Sequence, residues 1–258
     1  MKMLTAILLA AGLAAGPAFA GTIITPAGPG DAQGPAPINY YGSGGSQVQQ
    51  IYDASYFAGP TQITGLSFRA YPGAAPSGFF SNTVNVSNLT VALSNTMVSA
   101  NEASGAQPST NFAANEGANL TTVFSGAVTL STAATGQGPQ PFDYTVNFTT
   151  PFLYDPSGGN LLVDFLIPQG ATVSGSGFGF LTFDTANDLN DGVTSVVNLQ
   201  GPGPAGTLST AAAITQFHTA SAAAVPEPAS WALMIGGMLM TGGALRARRR
   251  IAASPLTA

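Results

Sequence analysis

From Gln47 onward the chain is written in short apolar alternations divided by Gly, Pro, Asn and Ser. The clearest run is Phe142 to Phe148. Phe142, Tyr144, Val146 and Phe148 fall on one face, and Asp143, Thr145 and Asn147 on the other. That period of two predicts a half-buried strand. Leu161 to Ile167 is apolar almost throughout and predicts a central strand, stopped by Pro168, which cannot donate to a ladder. Between these runs, Asp155-Pro156-Ser157-Gly158-Gly159-Asn160 has the chemistry of a turn. The same reading predicts strands at Val48–Tyr52, Ile63–Ala70, Leu89–Ser94, Thr122–Leu130, Gly177–Phe183, Thr194–Leu199 and Ala213–Phe217. Helical signal is thin. Ala100–Gln107 and Phe112–Asn119 have room for a turn or a short helix. Many short strands with Gly/Pro punctuation predict an all-β fold, a jelly-roll-like β-sandwich over residues 47–218. A β-helix is the alternative, but no fixed repeat supports it.

The flanks are patterned differently. Lys2, the apolar stretch Leu4 to Leu13 and the small-x-small Ala18-Phe19-Ala20 make residues 1–20 a secretory signal helix cut after Ala20. Residues 21–46 are rich in Gly and Pro and read as an extended arm. Thr219 to Val225 are all small residues and read as a flexible spacer. Then comes a tail in three parts: Pro226-Glu227-Pro228, an uncharged apolar run over 229–245 that includes Trp231, and the cluster Arg246, Arg248, Arg249, Arg250. As a single transmembrane helix the run would span about 25 Å, slightly short of a hydrocarbon core of about 30 Å. Snorkelling arginines close that difference, and they would stay cytoplasmic, which places everything before Pro226 outside.

Pro226-Glu227-Pro228, the Ala229-Ser230-Trp231-Ala232 that follows, the Gly-containing apolar run and Arg246 to Arg250 together resemble a PEP-CTERM sorting signal (226–250). The resemblance implies export and brief residence in the inner membrane. It implies cleavage near the Pro-Glu-Pro by an exosortase-type sorting protease, then delivery to the cell surface or exopolysaccharide matrix. Residues 251–258 extend beyond the point where the family usually stops. Phe152 to Leu162 and Thr215-Gln216-Phe217 loosely resemble stretches of other exported PEP-CTERM proteins, a likeness that carries no activity.

Charge narrows the function classes. Five of the six basic residues sit in the two terminal signals, which leaves Arg69 alone in the body, Gly21 to Val225. Ten acids against that one arginine give the body a formal charge of −9. Such a surface excludes a phosphate-tracking nucleic-acid binder. There is no cysteine, so an exported body rests on packing and hydrogen bonds without disulfides.

Asp184, Asp188 and Asp191, with Asn187 and Asn190, offer only hard oxygen ligands, which suits calcium. The order is not that of an EF-hand, and the same residues also make an ordinary solvated turn. His218 is the only histidine, so a histidine-based hydrolase would need it. No nucleophile elbow, phosphate loop, zinc-spaced pair or dinucleotide fingerprint is present. Tyr40, Tyr41, Tyr52, Tyr56, Phe57, Tyr71, Phe79 and Phe80 suit either a sugar-stacking platform or a core. The reading is therefore a non-enzymatic, exported surface or matrix protein with a structural or adhesive sandwich. Its alternative is a carbohydrate-binding module, calcium-assisted and directed at exopolysaccharide, with a secreted hydrolase more remote.

Overall fold

A computed structural model describes residues 20–26, 45–71, 81–101, 105, 107–135, 140–175, 182–186, 190–199, 201, 203–221 and 238. Within them, thirteen strands form antiparallel sheets. They are β1 (Ala20–Thr25), β2 (Ser46–Tyr52), β3 (Thr61–Arg69), β4 (Thr83–Thr96), β5 (Thr121–Ser131), β6 (Phe142–Tyr154), β7 (Asn160–Ile167), β8 (Val173–Gly175), β9 (Thr185–Ala186), β10 (Val193–Asn198), β11 (Thr207–Ser209), β12 (Ala212–Ala213) and β13 (Thr215–Ser221). A four-stranded sheet has the order β1-β13-β3-β6. A larger one has the order β11-β10-β2-β7-β4-β5, with β8 beside the first half of β4. β9 and β12 form a separate ladder.

The two sheets share one apolar core, as the alternation predicts. Tyr52 of the larger sheet meets Phe217 of the smaller edge-on at 5.0 Å, and Phe68 of the smaller meets Phe165 of the larger at 5.6 Å. Each such pair contributes roughly 0.5–1.5 kcal/mol beyond the area it buries. β7 is central, between β2 and β4, with Leu161 and Val163 fully buried. In β6, Tyr144 and Val146 are buried while Asn147 is exposed.

β4 is longer than its pattern suggests because a bulge at Ser87–Asn88 resets the period, so Val84, Val86, Leu89, Val91 and Leu93 all face the core. The turn before β7 has the expected chemistry. Asp155 accepts from Ser157 N at 2.9 Å and caps a 3-10 turn over Pro156–Gly158, and Gly159 closes it at φ 111°. A second 3-10 turn, Phe112–Ala114, lies in the segment where a short helix was expected and is capped by Asn111.

The arm and the spacer differ from the sequence reading. Thr22–Thr25, assigned to the arm, belong to β1, and Thr219–Ser221, assigned to the spacer, belong to β13. These strands pair with each other, Ala20 opposite Ala220, and β13 also pairs with β3. Ladder hydrogen bonds, rather than apolar periodicity, recruit them. No helix of the described residues is long and apolar enough to cross a membrane. The leader up to Phe19, the sorting motif from Pro226 to Arg250 and, Met238 apart, the span 229–245 lie outside the described residues.

One polar clasp joins the sheets through the core. Gln50, 1% exposed, donates to Tyr52 Oη at 2.6 Å and Ala213 O at 3.2 Å, and accepts from Ala213 N at 3.2 Å. Tyr52 Oη and Thr215 Oγ1 lie 2.7 Å apart. Replacement by an apolar isostere strands these buried groups at roughly 1–3 kcal/mol each. Gln50→Leu is therefore expected to destabilise the sandwich by about 2–4 kcal/mol, read as a lower urea midpoint with an unchanged m-value.

Candidate functional site

Among the described residues, three polar clusters beside the Gln50 clasp bear on function. The first surrounds Arg69, at the end of β3. Its guanidinium pairs with Asp184, both side chains are buried, and it lies 5.4 Å from the centre of the Phe142 ring. The pairing stitches residues 182–186 to the sheet, together with Asp184 N to Arg69 O at 3.0 Å and Ile214 N to Asp184 O at 2.9 Å. Asp184 is thus the counter-ion of the body's only arginine. Asp188 lies outside the described residues. Asp191 serves a turn into β10. Its Oδ1 accepts from Val193 N at 3.0 Å, its carbonyl accepts from Tyr56 Oη, and Gly192 takes φ 75°. The described residues hold no group of three or more His, Cys, Asp or Glu able to bind a metal.

The second cluster lies on the outer face of the smaller sheet. Ser67 on β3, Thr145 on β6 and His218 on β13 are cross-strand neighbours. Ser67 Oγ is 2.9 Å from His218 Nε2 and 2.7 Å from Thr145 Oγ1. Gly65, directly opposite His218, lets β6 approach closely, since a Cβ there would stand 2.9 Å from Val146 O. The spacing is that of a nucleophile and base. Ser67 is nevertheless 0% exposed, and no carboxylate of the described residues bonds His218 to orient it. The trio acts as a polar ladder across three strands.

The third cluster is on the outer face of the larger sheet and was not singled out from sequence. Asp164, in the middle of β7, is 5% exposed. Its Oδ2 accepts from Gln47 Nε2 at 2.8 Å and Gln49 Nε2 at 2.7 Å. Its Oδ1 is buried and makes no hydrogen bond among the described residues. The β4–β5 connection lies over it. Gln49 donates to Phe112 O at 3.1 Å and accepts from Asn115 Nδ2 at 3.0 Å, while Gly117 N donates to Ser94 Oγ at 3.1 Å. Burial pushes the Asp164 carboxyl above the usual carboxylate range, and the two amide bonds oppose that shift. Burial, and then the charge of Asp164, raise the Glu116 carboxyl as well. The available signal was a lone charge inside an otherwise apolar strand, Leu161-Leu162-Val163-Asp164-Phe165-Leu166-Ile167.

Of the candidate stacking aromatics, Tyr52 and Phe57 are core. Phe57 packs on Tyr154 at 4.7 Å and on Phe217 at 5.6 Å. Tyr56 and Tyr71 are half-buried, and Tyr40, Tyr41, Phe79 and Phe80 lie outside the described residues. In the comparisons with known proteins, no family model, no curated protein and no solved structure matches the chain.

Burial holds the His218 imidazole below its ordinary value. The unfolded chain then binds the extra proton first. This contribution to stability is complete above pH 6.5 and falls as pH drops through 6.5 toward the lower folded value. His218→Gln is expected to flatten the thermal-midpoint profile in that acidic window and leave it little changed above pH 7.5.

Proposed function

We propose that the chain is an exported protein, sorted through its tail by an exosortase-type protease to the cell surface or extracellular matrix. There its sandwich, of jelly-roll-like kind, has a structural or adhesive role rather than a catalytic one. The leader is removed after Ala20, and residues 229–245 hold the precursor in the inner membrane as a single helix. The observation that carries this reading is the tail itself: Pro226-Glu227-Pro228, Trp231 in an uncharged run, then Arg246, Arg248, Arg249 and Arg250.

Strand boundaries support it. Cleavage after Ala20 spares all but the first residue of β1, and β13 ends at Ser221, before the Pro-Glu-Pro. Neither cut would dismantle the sandwich. The non-catalytic part is supported by the burial of Ser67, which withholds the one serine paired with the one histidine from any substrate.

The mature extracellular protein is expected to begin at Gly21 and to lack Trp231 to Ala258. An intact mass that retains the arginine cluster would overturn the sorting reading. The body's role is read by pull-down of Gly21–Val225 on the producing cell's exopolysaccharide. An unretained body fits a structural or adhesive component. A retained one makes it a polysaccharide binder, and loss of retention with a chelator makes that binding calcium-dependent.

A further inference from the structure

The third cluster sets two carboxylates together with no cation of the protein's own to balance them. β7 lies between β2 and β4. The segment over their outer face is fixed on both sides of β7. Asn115 is tied to Gln49 of β2, and Gly117 to Ser94 of β4. The residue between them is Glu116, so its backbone crosses over β7. In the ladder, Asp164 of β7 lies opposite Gln49 on one side and Ala92 on the other, two residues from Ser94. Glu116 is thereby brought toward Asp164, whose charge adds to burial in disfavouring ionisation of the Glu116 carboxyl.

Nothing else in the body neutralises this pair. Between Gly21 and Val225 the only positively charged side chains available are Arg69 and, when protonated, His218. Arg69 is buried against Asp184 at the end of β3, and His218 bonds Ser67 across β13 and β3, both in the other sheet. Gln47 and Gln49 present their amide N–H groups to Asp164 Oδ2 alone, which leaves buried Oδ1 without a partner. An open cavity of about 400 Å³, lined by Thr96, Glu116 and Asn119 among others, gives solvent access to the Glu116 side.

We propose that Asp164 and Glu116 form a binding site for a hard divalent cation of the calcium class, which clamps the segment 107–119 onto the outer face of the larger sheet. Asp164 Oδ1, from the buried side, and the Glu116 carboxylate, from the cavity side, are the anionic ligands, and water on the Glu116 side completes the shell, as calcium's flexible oxygen coordination allows. The site shares no residue with the acidic segment around Asp184–Asp191 and does not depend on the sorting reading.

The test uses the full chain in detergent, with calcium chloride as the probe and EDTA-treated protein as the reference. One calcium per chain is expected by calorimetric titration, and the thermal midpoint should rise with calcium concentration as binding to the folded state requires. Asp164→Asn keeps an acceptor for the two glutamines, and Glu116→Gln alters a half-exposed residue. Each is expected to weaken calcium binding at least tenfold. Asp188→Asn is expected to leave it unchanged. Should Asp164→Asn fail to fold, Glu116→Gln alone decides. Binding lost in Asp188→Asn and kept in the other two variants overturns the site. So does a midpoint that ignores calcium and only falls as pH rises from 4 to 7, because that behaviour means a shared proton neutralises the pair.

Discussion

Two consecutive glutamines on β2 face opposite ways, and the architecture depends on both. Strand alternation sends Gln50 into the core and Gln49 to the outer face, and both side chains are almost completely buried. Gln50 meets the backbone of Ala213 with donor and acceptor alike, which fixes how the larger sheet sits against the strands leading into β13. Gln49 meets Asp164, Phe112 O and Asn115, which fixes the segment that covers the larger sheet. A neutral amide can do this where a charged side chain cannot. It satisfies donors and acceptors together at a modest desolvation cost. A slip of one residue in β2 would put Val48 in the outer environment or Ile51 in the inner one and leave that set of polar groups unpaired.

The shortage of positive charge explains much of the remaining polar structure. With Arg69 committed to Asp184, Asp164 Oδ2 is met by two amides, and Ser67 Oγ by a hydroxyl and an imidazole. Asn residues recur at the cap for the same reason. Asn115 alone bonds both the N–H and the carbonyl of Ser109, and Asn95 and Asn119 bond one another. With no cysteine, this amide stitching and the aromatic core share the stabilisation.

The strands that could be read from the sequence are those whose apolar residues alternate without interruption. β6 and β7 were legible in type and place, and the position of β7 at the centre follows from apolar residues on both of its faces. β4 was read short because its bulge breaks the period that reveals a strand. β1 was hidden because its two large apolar residues, Ile23 and Ile24, are adjacent and show no alternation, and they lie beside a Gly/Pro-rich stretch. Their strand character comes from a partner nearly two hundred residues away in sequence, which no local window contains. The Asp164–Glu116 pairing was illegible for a related reason. Asp164 was visible as a charge out of place, but the spacing of residues does not say which connection will fold back across which sheet. The acidic run around Asp184–Asp191 was conspicuous by density, and two of its carboxylates have structural partners, Asp184 an arginine and Asp191 the turn into β10, while Asp188 lies outside the described residues.

The pairing of the chain's first and last described strands of the sandwich has a mechanical side. A pull on the C-terminal end of the sandwich enters through β13, an interior strand bonded to β1 on one flank and β3 on the other. Drawn along its own length, β13 must shear both ladders at once instead of peeling from one edge, and Phe217, wedged between Tyr52 and Phe57, must leave the core in the same motion. A domain hung by this end is gripped by an interior strand, and the load it can bear is set by sheet shear rather than by the unzipping of a margin.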